Sequence, residues 1–166
     1  MFMIHALDRT KTNVIINLIN TKGVKPLTTR TITIGDIYLM RFDGSGSEQS
    51  GLRPGLVFQN NLGNLYSPNI IALPLTSRIK KTSQPTHVIL PASITGLRCD
   101  SMVLCENPER MSKEKLGKYI TTLSQELMAK IAEASILSTS AIAFIDPDNL
   151  LALWKKASAL NAASAA

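Results

Sequence analysis

Arg53 stands between two unlike stretches. Before it runs "GSGSEQSGL", small and polar, and after it "PGLVFQ", which reads as a strand. Pro54 biases Arg53 towards extended geometry and starts a strand without needing an amide donor. One side of the guanidinium is therefore fixed by a sheet, while the other borders a flexible loop carrying Ser47, Glu48 and Gln49. A planar fork of donors in such a place suits an oxyanion, above all a phosphate. Further along, "PLTSRIKK" sets the Thr76 hydroxyl directly before Arg78, Lys80 and Lys81. A basic run of this kind either touches phosphate or is simply a solvated face. Histidine is a common proton carrier, but His87 lies in "PTHVIL", an apparent strand, where a packing or hydrogen-bonding role is the commoner one. Cys99 and Cys105 have five residues between them, and the two histidines, His5 and His87, form no ligand cluster with them. They read as reduced, partly buried thiols.

These side chains need a scaffold, and the chain has material for one. Its 166 residues are 45% hydrophobic, enough for one domain with appendages. No apolar run reaches the length of a membrane span, and the first residues lack the pattern of a signal peptide. The expectation is a cytoplasmic protein. The net charge of +6 is uneven: residues 1–98 carry eleven Lys/Arg against four Asp/Glu, residues 99–166 seven against eight. A basic surface favours a polyanionic partner.

Residues 33–107 read as strands separated by turn signals: "ITIGDIYLMRF", "PGLVFQ", "NIIALPLT", "THVILP" and "DSMVLCEN", with a turn-rich "NNLGNLYSPN" before the third. The gaps are too short for parallel crossovers, so a small curled antiparallel sheet or barrel is expected. "MSKEKLGKYI" suits a short helix. "SQELMAKIAEASIL" is a clear one, capped by Ser124, with Glu126 in its first turn and Leu127, Ile131 and Ala134 along one face. The tail suggests another, with Asp148 as its cap. Near the start, Asp8 to Gly23 could bound a helix, although its many β-branched residues weaken that reading.

The order of motifs resembles the MazF/PemK family of toxin ribonucleases. It is carried by "GDIYLMRF", "GSEQSGLRPGLVFQNNLGNLYSPNIIALPLTS", "PTHV" and "DSMVLCE", followed by the acidic-start helix, over roughly the middle two-thirds of the chain. The resemblance implies an α+β fold, a small SH3-like antiparallel barrel of the CcdB–PemK type with C-terminal helices. The expected organisation is an N-terminal extension (1–32), a ribonuclease domain (33–145) and a C-terminal helical tail (146–166). It implies the toxin of a toxin–antitoxin pair, a homodimer that cuts single-stranded RNA at a short sequence without a metal or other cofactor, and a small antitoxin that covers the RNA site. Arg53 and Thr76 are carried over as catalytic residues, and Ser47, Glu48, Gln49, Arg78, Lys80, Lys81 and Glu106 as RNA-binding ones. Arginine's pKa lies far above neutrality, so Arg53 suits charge stabilisation better than proton transfer. The chain departs from the family after Glu106: Asn107-Pro108-Glu109-Arg110 stands where a Gln, an apolar residue and an Arg are usual, so a cutting sequence does not carry over. The alternatives are a non-catalytic, CcdB-like gyrase inhibitor and a member whose catalysis has decayed to a binding module, since fold does not fix function.

Overall fold

The computed structural model describes residues 30–44, 50–79 and 84–162. The chain divides into two compact units, 1–31 and 32–166, and every element below lies in the second. The expected helix between Asp8 and Gly23 falls outside the described residues. Seven strands run in the order β1 (Asp36–Asp43), β2 (Ser50–Val57), β3 (Asn69–Thr76), β4 (His87–Leu90), β5 (Ser101–Leu104), β6 (Glu109–Ser112) and β7 (Leu116–Thr122). Helix α1 (Asn61–Tyr66) joins β2 to β3, and α2 (Ala92–Thr95) joins β4 to β5. Helices α3 (Gln125–Thr139) and α4 (Leu150–Ala162) follow the sheet.

Every pairing is antiparallel. The lateral order is β4-β5-β3-β2-β1-β7, with β6 also on β3. Among the described residues no pairing joins β4 to β7, so the sheet curls without closing there. Side chains alternate across a strand, and here both faces are covered. Ile37, Leu56, Leu73, Leu75 and Val103 pack with Leu127, Ile131 and Ala134 of α3. Their sequence neighbours Tyr38, Val57 and Ala72 join Met40, Phe42, Ile70 and Met111 in a second cluster. Strand β2 crosses the second cluster at Gly55, where an added Cβ would come within 2.6 Å of Met40 Sδ and 2.8 Å of Phe42 Cζ. Only a residue without a side chain lets β1 and β2 pack so closely there.

Local chemistry starts the elements. Asp36 is fully buried, accepting from the Thr33 amide at 2.9 Å and the Thr122 hydroxyl at 2.6 Å, so it ties the entry of β1 to the end of β7. Helix α3 forms as its sequence implies. Ser124 Oγ accepts from Leu127 N at 3.3 Å, Glu126 sits in the first turn, and Leu127, Ile131 and Ala134 are its buried residues.

Three local expectations are corrected. Residues 111–120 are not a helix: they form the end of β6, a single 3-10 turn over Lys113–Lys115, and most of β7. Lys and Glu favour a helix there, but Ser112 Oγ caps the tight turn and pairing with β1 wins. The turn-rich stretch after β2 contains helix α1, because Asn60 Oδ1 accepts from Gly63 N at 2.8 Å. In the tail Asp146, rather than Asp148, is the cap, accepting from Asp148 N ahead of α4. Of the two free thiols, Cys105 is buried and Cys99 exposed, so only one is sheltered. Helix α4 is tied to α1 through Asn161, whose Oδ1 and backbone carbonyl accept from Asn61 N and Nδ2. Trp154 remains 65% exposed on α4, and Phe144 before it 90%.

Candidate nucleic-acid interface

Where β2 and β3 run side by side, Gly55 pairs with Pro74 and Leu56 with Leu73. Arg53 and Thr76 each lie two residues beyond the Gly55–Pro74 pair, at the end of the paired stretch where the two strands separate. At this point β3 turns to its other neighbour, pairing Thr76 with Met102 of β5. Between the diverging strands lies an open groove of about 1330 Å³, and Arg53, Thr76 and Arg78 all line it. Arg53 and Thr76 are half-buried and Arg78 is exposed. Thr76 Oγ1 accepts from the Arg78 amide at 3.1 Å. That bond orients the hydroxyl and leaves its O–H to donate.

Two further cations line the same groove, Arg98 and Lys118, and no Asp or Glu does so among the described residues. Neither was singled out from sequence. Arg98 is isolated in "GLRCD", and Lys118 lies in the stretch read as a helix, where it would have faced water. Strand pairing is what delivers Lys118 to the groove.

Glu106 lies elsewhere. Its Oε1 is 2.9 Å from His87 Nε2, and the His87 side chain is only 8% exposed. His87 thus has the hydrogen-bonding role that its strand context suggests, and it does not line the Arg53 groove. Glu106 lines a second groove of about 570 Å³ with Arg41, Asp43, Glu109, Arg110 and Lys115. There Lys115 is paired with Asp43. Arg110 pairs in register with Ile71 of β3, so Pro108 falls just before β6 and costs no ladder bond. Ser47, Glu48, Gln49, Lys80 and Lys81 lie outside the described residues. Burial pushes the Cys105 thiol up to about 11, and the nearby Glu106 carboxylate adds to the shift. It is therefore held as the thiol, poorly suited to act as a nucleophile.

An antiparallel curled sheet with a cationic groove across its strand ends is a surface for a polyanion, and comparison with known proteins gives it a family. The chain belongs to the PemK-like, MazF-like toxins of type II toxin–antitoxin systems, whose pattern matches residues 33–138. It is 40% identical over 111 residues to endoribonuclease EndoA of Bacillus subtilis (strain 168), covering 66% of this chain and 96% of that one. Among solved structures it resembles an endoribonuclease in complex with its cognate antitoxin from mycobacterial species. That match has 26% identity and a TM-score of 0.54, covering 66% of this chain and 95% of the other. The fold is also that of MazF from Deinococcus radiodurans, with a TM-score of 0.58 at 21% identity, over 67% of this chain and 98% of that one.

Proposed function

We propose that this toxin is an endoribonuclease that cuts single-stranded RNA in the Arg53 groove, without a metal. The observation that carries this reading is the meeting of Arg53 and Thr76 in one open groove lined by cations and by no carboxylate among the described residues. The family and its 40% identical endoribonuclease relative support it.

The reaction uses the substrate's own 2′-hydroxyl, which DNA lacks. The 2′-oxygen bonds to phosphorus and the P–O5′ bond breaks, leaving a 2′,3′-cyclic phosphate on one fragment. The proton lost from the 2′-hydroxyl is balanced by one gained at the departing 5′-oxygen. Negative charge builds on the non-bridging oxygens, and Arg53 holds it as an electrostatic clamp. Thr76 donates to a phosphoryl oxygen or orients the 2′-hydroxyl. Arg78 contacts a neighbouring phosphate. Ser47, Glu48, Gln49, Lys80 and Lys81 complete the RNA surface from the two segments flanking Arg53 and Arg78 in sequence. Glu106, engaged by His87 in the second groove, is not among the residues that line this one.

The ribonuclease domain is residues 33–145, with 1–32 and 146–166 as additions. The protein works in the cytoplasm as a homodimer, and its partner is a small antitoxin that covers the groove. No helix among the described residues is long and apolar enough to cross a membrane.

The test is incubation with a long single-stranded RNA in EDTA. Discrete cuts that vanish in Arg53→Ala, with melting unchanged, are the expected outcome. Intact RNA overturns the reading, and trapped gyrase–DNA complexes would replace it with a topoisomerase inhibitor.

A further inference from the structure

Arg98 and Lys118 are each set into the groove by a specific local device. On β7, one residue of β1, Leu39, faces two, because Tyr38 pairs with Tyr119 and Met40 with Leu116. Gly117 and Lys118 therefore form a bulge, and bulges re-aim side chains. Gly117 permits it: a Cβ there would come within 2.9 Å of Leu39 O. Across the groove, Arg98 sits in the loop between α2 and β5. Gly96 turns that loop with φ of 69°, buried Leu97 anchors it, and Asp100 Oδ1 accepts from Ala92 N at 2.8 Å. Cys99 O also accepts from Ser101 Oγ at 3.0 Å. Both cations are exposed at their tips while their backbones are held.

The sheet order fixes their sequence in space. Lys118 on β7 lies two strand steps from Arg53 on β2, about 10 Å at the usual spacing. Thr76 on β3 is the next step, and Arg98 leads into β5, the step after that. The groove's cations thus run across the strands, with Arg53 and Thr76 between the two outer ones.

We infer that bound RNA crosses the sheet at right angles to its strands, with Lys118 and Arg98 holding the phosphates on opposite sides of the one that reacts. This rests on the RNA reading above and deepens it by giving the strand a direction and two specific anchors. The described lining, four cations and no carboxylate, supplies the charge complementarity, and the held backbones at both anchors keep the ordering cost of binding low.

The experiment is binding of a fully 2′-O-methylated single-stranded RNA, which cannot be cut, as a function of salt. Lys118→Gln and Arg98→Gln should each weaken binding several-fold at low salt and reduce the slope of log K against log salt by about 0.7, the value for one single-strand phosphate contact. The effects should add in the double variant, and Lys118→Arg should retain the slope. Lys130→Gln, on α3, should change neither. A scan with single neutral methylphosphonates should then remove the Lys118 penalty at a phosphate on one side of the cut and the Arg98 penalty on the other. Unchanged slopes, an equal loss in Lys130→Gln, or both penalties removed by the same phosphate overturn the inference. If the wild type binds and cuts RNA while the variants match it, the inference falls alone. If the wild type binds no RNA, the ribonuclease reading falls with it.

Discussion

Arg53, Arg78, Arg98 and Lys118 share a groove whose described lining has no carboxylate, whereas Arg41, Arg110 and Lys115 share one with Asp43, Glu106 and Glu109. Both grooves are open and both hold cations. In the second, charge meets charge: Lys115 is paired with Asp43, and Glu106 is engaged by His87. In the first, the described lining sets four cations together and no acid among them. A count of basic residues along the chain cannot tell these two situations apart. What separates them is where the fold places the acids: Asp43 ends β1, Glu106 precedes β6 and Glu109 opens it, all on the second groove.

This contrast can be broken by substitution. The largest expected effect is at Arg53. Arg53→Ala should lower kcat/KM for RNA by about a hundredfold or more, on the order of 3 kcal/mol of lost charge stabilisation. Comparison of single-turnover rates would check it, and a loss under threefold would break the asymmetry between the grooves. Thr76→Val keeps the shape and removes the hydroxyl, so a loss of about tenfold is expected, read in kcat more than KM if the bond matters mainly in the transition state. Gly55→Ala acts on the scaffold instead. Crowding Met40 and Phe42 should cost about 2 kcal/mol in denaturant unfolding. In the second groove, Lys115→Ala removes an exposed ion pair and should change stability by less than about 1 kcal/mol and cleavage by less than twofold.

The smallest effect concerns the thiols. Near pH 8, iodoacetamide should label exposed Cys99 readily and Cys105 only on unfolding. Because burial raises the Cys105 pKa from 9.0 to about 11, the folded state favours the protonated thiol. That contribution to stability is fully present below pH 9 and is lost as pH rises through 11. A Cys105→Ala variant should lose that part of the alkaline fall in an unfolding series.

Much of this was legible in the residues. The first five strands announce themselves by alternation and turn signals, and α3 by cap, acidic first turn and apolar face. Arg53-Pro54 marked the groove because proline constrains the backbone locally. Strands β6 and β7 were hidden, since "MSKEKLGKYI" has helical composition and its strand state depends on pairing with β3 and β1, far earlier in the chain. With them went Lys118, whose position is a property of a bulge opposite Leu39. Arg98 was hidden for a related reason: a lone arginine in a loop carries no pattern until Leu97 and Asp100 are seen to fix it. The misplaced tail cap is smaller in kind, since Asp146 and Asp148 are equally good caps by type and only geometry chooses.

The most direct measurement is an end-group analysis of an RNA oligonucleotide cut in EDTA, beside the same oligonucleotide with a single 2′-deoxyribose at the cut position. The expected result is a 2′,3′-cyclic phosphate and a 5′-hydroxyl from the first, and no cut at that position in the second. Cutting of the deoxy-substituted strand at the same bond would contradict the account, because the account assigns the attack to the 2′-hydroxyl alone.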